Sequence, residues 1–166
     1  EILARHAHPK GGIVAAQVDN EMAYFFCINA YAADFSDASL RNYRAFLSSK
    51  YGSLETINEA HGTTVATMAE VDAPRRFEAT KASEIPRYAD WIEYRENYLI
   101  YSMARLADMM RERGLDTIAL FHNYPHPLGP GGAASGFTTP FNIAKLEEKL
   151  DFVGFDIYSR KELYSH

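Results

Sequence analysis

Three short apolar runs are separated by longer stretches in which apolar residues recur every three or four positions. The first run lies within Gly11-Gly12-Ile13-Val14-Ala15-Ala16-Gln17-Val18-Asp19-Asn20-Glu21, opening on a glycine pair and breaking off in Asp-Asn-Glu. The second is Thr117–Phe121 and the third Phe152–Tyr158. A short, nearly unbroken apolar run predicts a strand buried on both faces, as in a parallel sheet covered by helices. Between the runs, Leu40, Tyr43, Leu47 and Tyr51 mark one face of a helix that Ser36 caps and Gly52 ends. Ser53 opens a second, shorter helix with Leu54, Ile57 and His61 on one side, ended by Gly62. Residues 63–82 read as a long connection. Ser83 is the expected cap of a long helix with Pro86 in its first turn and Ile85, Tyr88, Ile92, Leu99, Met103, Leu106 and Met110 as its buried stripe. Arg111, Arg113 and Gly114 finish it. Thr139-Pro140 starts a last helix with Ile143, Leu146 and Leu150 inward, and residues 1–8 read as a helix tail stopped by Pro9-Lys10-Gly11-Gly12.

Helix, strand, helices, strand, helix, strand, with connections long enough for crossovers, predicts an α/β fold with a parallel sheet. In such sheets ligands bind beyond the carboxyl ends of the strands, so the polar residues that end each run are the expected site. A complete (β/α)8 barrel needs eight such units in about 250 residues. Three strands are under half of one, and both ends of the chain read as cut. The expectation is that residues 1–166 are a fragment of one larger catalytic domain.

Composition narrows the partners. Hydrophobic residues make up 47% and charged residues 23%, enough apolar content for a sizeable core. The 17 basic residues against 22 acidic ones are scattered without a basic patch, which argues against nucleic acid. The single cysteine, Cys27, cannot close an internal disulfide. No leader and no apolar run long enough to cross a bilayer is visible, so no membrane partner is expected and the expected location is cytoplasmic. Eleven Tyr and ten Phe suit a sugar-binding cleft and an ordinary core equally.

Glu21 leads the candidates. It closes a predicted buried strand, follows an Asn that can bind a ligand, and precedes an aromatic loop. Such a carboxyl, shielded by aromatics, suits a general acid, and the alternative is an exposed carboxylate at a strand end. Asp156 could be a second carboxylate or a buried, loop-pairing Asp. His122 and Asn123, read as loop beyond the second strand, could bind a substrate hydroxyl. His122 and His126 have helical spacing, but in a loop that carries no argument for a metal. Tyr158 could line a site or pack over the sheet rim. Nucleophile-elbow, phosphate-loop, dinucleotide and paired C-x-x-C signatures are absent. Gly129-Pro130-Gly131-Gly132 sits in a long Gly/Pro-rich loop, 125–139, that does not lead from a strand into a helix as a phosphate loop would.

Gly11–Glu21 resembles the strand-four signature of β-galactosidase-type glycoside hydrolases of clan A, families 35 and 42, in which a Gly-Gly pair, an apolar strand and an Asn-Glu lead to the acid/base. Lys50-Tyr51-Gly52-Ser53-Leu54 and Asn58-Glu59-Ala60-His61-Gly62-Thr63 are similar to the family 42 stretch that follows, and Phe152–Tyr158 resembles that family's sixth strand. The resemblance implies a partial (β/α)8 barrel with strands roughly four to six, and a retaining enzyme acting on terminal sugars. Glu21 would be its acid/base, Asn20 would bind the hydroxyl beside the anomeric carbon, and Asn123 and Tyr158 would contact the sugar. Retention requires a second carboxyl about 5–5.5 Å from the first. The family's nucleophile, a Glu ending strand seven, lies outside this chain. The mechanism requires no metal or other cofactor; the expected partner is a carbohydrate, and the full-length parent could form a homo-oligomer. Two alternatives stand beside this: a non-catalytic carbohydrate-binding barrel, and a small α/β module acting through protein contacts.

Overall fold

The computed structural model describes residues 1–22, 31, 34–124 and 142–155. Asp156, Tyr158, His126, the 125–139 loop, Thr139, Pro140, Cys27 and the aromatics Tyr24, Phe25 and Phe26 lie outside the described residues. Two compact units are present. One holds residues 1–22, 99–124 and 142–155; the other holds 31 and 34–98.

The first unit is built on three parallel strands in the order β1 (Ala15–Asn20), β2 (Ala119–Tyr124) and β3 (Phe152–Phe155). Leu120 of β2 is fully buried with Met103 and Ala107 of the long helix α3 (Ile85–Met110). Leu146 of the short helix α4 (Ile143–Glu147) and Leu150 join them, and Ala16, Val18 and Val153 pack against the cluster. Period-two alternation sends the neighbouring positions to the other face, where Phe121 and Phe152 stack with ring centroids 4.7 Å apart.

Expectation and structure part company at several points. β1 is not buried on both faces: Gln17, Asp19 and Asn20 are exposed, and Val14 before the strand is 67% exposed. Ala16 and Val18 pack against the helix-covered cluster, while the opposite face carries the exposed Gln17 and Asp19. β2 runs three residues beyond the expected Phe121 end, because pairing with β1 and β3 extends to Asn123 and Tyr124. His122 and Asn123 are therefore strand residues, and strand alternation governs where their side chains go. The N-terminal segment is not a helix tail but a single 3-10 turn, Leu3–Arg5, followed by a bridge between Ala7 and Ile13. Gly11 closes the turn that follows Ala7: a Cβ there would sit 2.3 Å from the His6 carbonyl oxygen, so Gly11 serves close backbone approach, whereas Gly12 stands in open space. The last described helix is capped by Asn142, whose side chain accepts the Lys145 N–H.

In the second unit, α1 (Asp37–Tyr51) and α2 (Leu54–His61) start on Ser36 and Ser53, each accepting a backbone N–H three residues on, and end at Gly52 and Gly62 as expected. Tyr43, Leu47, Ile57, Val71, Ala73, Trp91 and Tyr94 form the core, with Phe35 stacked on Trp91 at 5.5 Å and Tyr43 edge-on to it at 5.1 Å. Ser83 is not the cap of α3. It lies within a 3-10 turn, Ala82–Glu84, and the Glu84 carboxylate accepts the N–H groups of Thr80 and Lys81 instead. The buried face of α3 in this unit is Tyr88, Trp91, Tyr94 and Arg95, while the expected Ile85 is 46% exposed.

A buried carboxylate ties the three helices of this unit together. Asp90 on α3 accepts from Lys50 of α1 at 2.7 Å, from the Tyr51 hydroxyl at 2.8 Å and lies 2.7 Å from Nε2 of His61 on α2. Burial works to raise the Asp90 pKa, but the hydrogen bonds from His61, Lys50 and Tyr51 outweigh it and hold the carboxyl below its ordinary value.

Candidate active site

β1 and β2 do not advance in step. Gln17 pairs with Phe121 and Asn20 with Asn123, so three residues of β1 span two of β2. One extra residue in β1 makes a bulge, a device that re-aims strand ends and recurs beside active sites. Just past it stands Glu21, with φ of 48°, in the left-handed region that a side chain ordinarily avoids. Holding a non-glycine residue there costs on the order of 1–3 kcal/mol and persists only where the surroundings enforce it.

The surroundings here are side chains of β1 and β2. The Glu21 N–H donates to Oδ1 of Asn123 at 3.1 Å, and the Met22 N–H donates to Nε2 of His122 at 3.0 Å. Nδ1 of His122 lies 2.9 Å from the Asp19 carbonyl oxygen. A backbone N–H can only donate and a carbonyl can only accept, so the ring is the neutral Nδ1–H tautomer with its lone pair on Nε2. The imidazole is fully buried, on the same face as Leu120. His122 was expected in a loop beyond the strand; as a strand residue two places after Leu120 it is turned instead to the helix-covered side, where both ring nitrogens engage backbone groups.

Asn123, one place on, takes the opposite face. Its Oδ1 also accepts from Gln17 Nε2 at 2.6 Å, and its Nδ2 donates to Asn20 Oδ1 at 3.3 Å. Gln17 Nε2 reaches Asn20 Oδ1 at 3.1 Å and the Asp19 carbonyl at 3.0 Å. Three amides thus interlock at the strand ends. With Oδ1 of Asn20 taken by two internal donors, its Nδ2 remains to donate, and Asn20 is exposed. Gln17 was not singled out from sequence, although its place three residues before Asn20 in a strand-end motif is the signal that could have found it.

Glu21, Asn20 and Asn123 are therefore brought together, and His122 stands behind them. Tyr158 and Asp156 lie outside the described residues. Among the described residues no group of three or more His, Cys, Asp or Glu could hold a metal ion, and no helix is long and apolar enough to cross a membrane.

The fold recurs in solved proteins. The β-galactosidase of the psychrophilic Marinomonas ef1 matches with 24% identity and a TM-score of 0.67, over 95% of this chain and 22% of that one. The polyextremophilic β-galactosidase of the Antarctic haloarchaeon Halorubrum lacusprofundi matches with 22% identity and a TM-score of 0.70, over 95% of this chain and 22% of that one. The exo-carrageenase of Bacteroides ovatus, described as GH42, matches with 18% identity and a TM-score of 0.63, over 82% of this chain and 18% of that one. The chain thus spans about a fifth of the length of these proteins, whose likeness is one of fold. No individual curated protein matches the chain. The family model for glycoside hydrolase family 42, described as β-galactosidase, covers residues 1–166. Bulged strand, parallel sheet and Asn-Glu terminus accordingly sit in a chain that belongs to glycoside hydrolase family 42.

Proposed function

We propose that this chain is the strand-four to strand-six segment of a (β/α)8 catalytic barrel in a retaining glycoside hydrolase of β-galactosidase type, with Glu21 as its general acid/base. The single observation that carries the reading is Glu21 itself: a carboxylic residue at the mouth of a parallel strand, in a costly backbone conformation, braced by two side chains of the next strand. Strain enforced at one polar residue is a mark of a position selected for chemistry.

In the parent enzyme the Glu21 carboxyl gives its proton to the glycosidic oxygen as the bond to the anomeric carbon breaks. A nucleophilic carboxylate outside this chain forms the glycosyl-enzyme on the opposite face. Glu21, now a carboxylate, takes a proton from water as that water displaces the nucleophile. Asn20 offers Nδ2 to the hydroxyl beside the anomeric carbon, and Asn123 keeps Asn20 and Glu21 in register. The substrate is a carbohydrate with a terminal galactoside-like sugar.

The test compares Glu21→Gln with wild type in the full-length enzyme, using aryl galactosides that carry good and poor leaving groups. Loss of an acid suppresses turnover of the poor leaving groups far more and leaves azide able to rescue the good ones. Equal losses across the series, without rescue, would remove Glu21 from the role.

A further inference from the structure

Resting on that reading of Glu21, we infer that His122 is a positioning residue for the acid/base: its neutral imidazole clamps the backbone on both sides of Glu21 and fixes the direction of the carboxyl without touching substrate. Three observations converge on it. The ring bonds to Asp19 O and to Met22 N, which are the residues two before and one after Glu21, at 2.9 and 3.0 Å. It is fully buried on the helix-covered face of β2, so it has no route to a sugar. The backbone that it spans begins within the bulged stretch and contains the one described non-glycine residue with positive φ.

The chemistry of the ring suits this task. Clamping the segment requires one donor and one acceptor pointing away from each other on a rigid frame, which a neutral imidazole supplies, whereas a carboxamide carries both on one edge. The donor engages the Asp19 carbonyl, two residues before Glu21. The acceptor engages the first N–H after the left-handed residue. An isolated left-handed residue is free to relax toward the ordinary helical or extended wells. Relaxation at Glu21 would move the Met22 N–H away from Nε2 and the Glu21 N–H away from Asn123. The two bonds therefore oppose it, and a carboxyl displaced by about 1 Å can lose on the order of a hundredfold in rate.

The two halves of the clamp are separable. In His122→Gln the side-chain carbonyl occupies the place of Nε2 and can accept the Met22 N–H. In His122→Asn the amide N–H occupies the place of Nδ1 and can donate to Asp19 O. His122→Phe keeps the ring and removes both. The experiment measures kcat and KM of the full-length enzyme and these three variants on a series of galactosides graded by leaving-group acidity, with Glu21→Gln alongside. For His122→Phe the expected result is a kcat loss of about a hundredfold on the poorest leaving groups. The same variant should stay within a few-fold on the best, with KM little changed, and Gln and Asn should each recover part of the difference. A purely structural role would lower the active fraction and depress every substrate alike; that outcome, or no loss at all, would overturn the inference. Should His122→Phe not fold, the Gln and Asn variants carry the same comparison. Imidazole 15N shifts in the wild-type enzyme provide the independent measurement. They should show Nδ1 protonated and Nε2 not, and an Nε2–H tautomer would overturn the clamp. Absence of any leaving-group dependence in Glu21→Gln would instead count against the acid/base reading, leaving the tautomer measurement to judge the clamp.

Discussion

The backbone N–H of Glu21 donates to Oδ1 of Asn123, 102 residues further along the chain, at 3.1 Å. One amide side chain on β2 thereby holds the residue that ends β1, and the same oxygen accepts from Gln17 at 2.6 Å. Asn123→Leu, close in shape, removes both acceptances. Gln17 keeps the Asp19 carbonyl and Asn20 Oδ1, so the loss falls on the Glu21 N–H and on the Asn123–Asn20 bond. A buried or half-buried donor deprived of its acceptor costs about 1–3 kcal/mol. Steady-state kinetics of the full-length enzyme should show kcat/KM reduced by about ten- to a hundredfold, the same energy expressed as a rate.

Strain at Glu21 makes a second, opposite-signed prediction. With φ at 48° the position favours glycine, so Glu21→Gly should abolish turnover and yet be more stable than Glu21→Ala by about 1 kcal/mol. Urea unfolding of the two variants side by side checks the difference. Ala equal to or above Gly in stability would mean that the left-handed conformation is not held in solution.

Asp90 predicts how the helical unit responds to pH. Its folded-state pKa lies below the ordinary 3.8, so its contribution is complete above that value and is lost as the pH falls through the lower folded value. Tyr51 behaves the other way. Burial, followed by the Asp90 hydrogen bond, pushes its hydroxyl up to about 12, so its contribution is complete below 10 and fades as the pH rises toward 12. Amide hydrogen exchange over residues 37–61 and 85–98 should therefore show protection that falls off below pH 4 and above pH 10. In Asp90→Asn both dependences should be weakened, with protection lower throughout the neutral range.

The 166-residue chain alone should not hydrolyse an aryl galactoside, because the proposed reading assigns the nucleophile to a strand outside residues 1–166. Sensitive fluorogenic assay of the purified chain tests this directly. Turnover that disappears in Glu21→Gln would show that a second carboxyl within 1–166 completes the pair.

Helix ends and strand order were legible in the residues because they depend on neighbours in sequence. Ser36, Gly52, Ser53 and Gly62 begin and end their helices where their own backbone preferences demand, and three apolar runs separated by helical spacing sufficed to predict a parallel sheet. The candidate at Glu21 was legible for a similar reason, since a polar break in an apolar run marks a strand end. His122 shows where this stops. Its role turned on whether β2 ends at residue 121 or 124, and that is decided by hydrogen bonds to β1 and β3, which no local pattern contains. Three further residues of strand put His122 on the covered face and Asn123 on the open one.

Asp90 makes the same point in the helical unit. From sequence it is one acid among many on a long helix; only packing of α1 and α2 gathers Lys50, Tyr51 and His61 around it. The sequence by itself determined the order of the main helices and strands, the caps of α1 and α2, and the carboxylate at the end of the first strand, because propensity and periodicity act over a few residues. The tertiary structure alone decided the bulge, the left-handed turn at Glu21 and the brace of His122 and Asn123 behind it. Those depend on registering β1 against a strand about a hundred residues away, and long-range pairing is not written in any single segment.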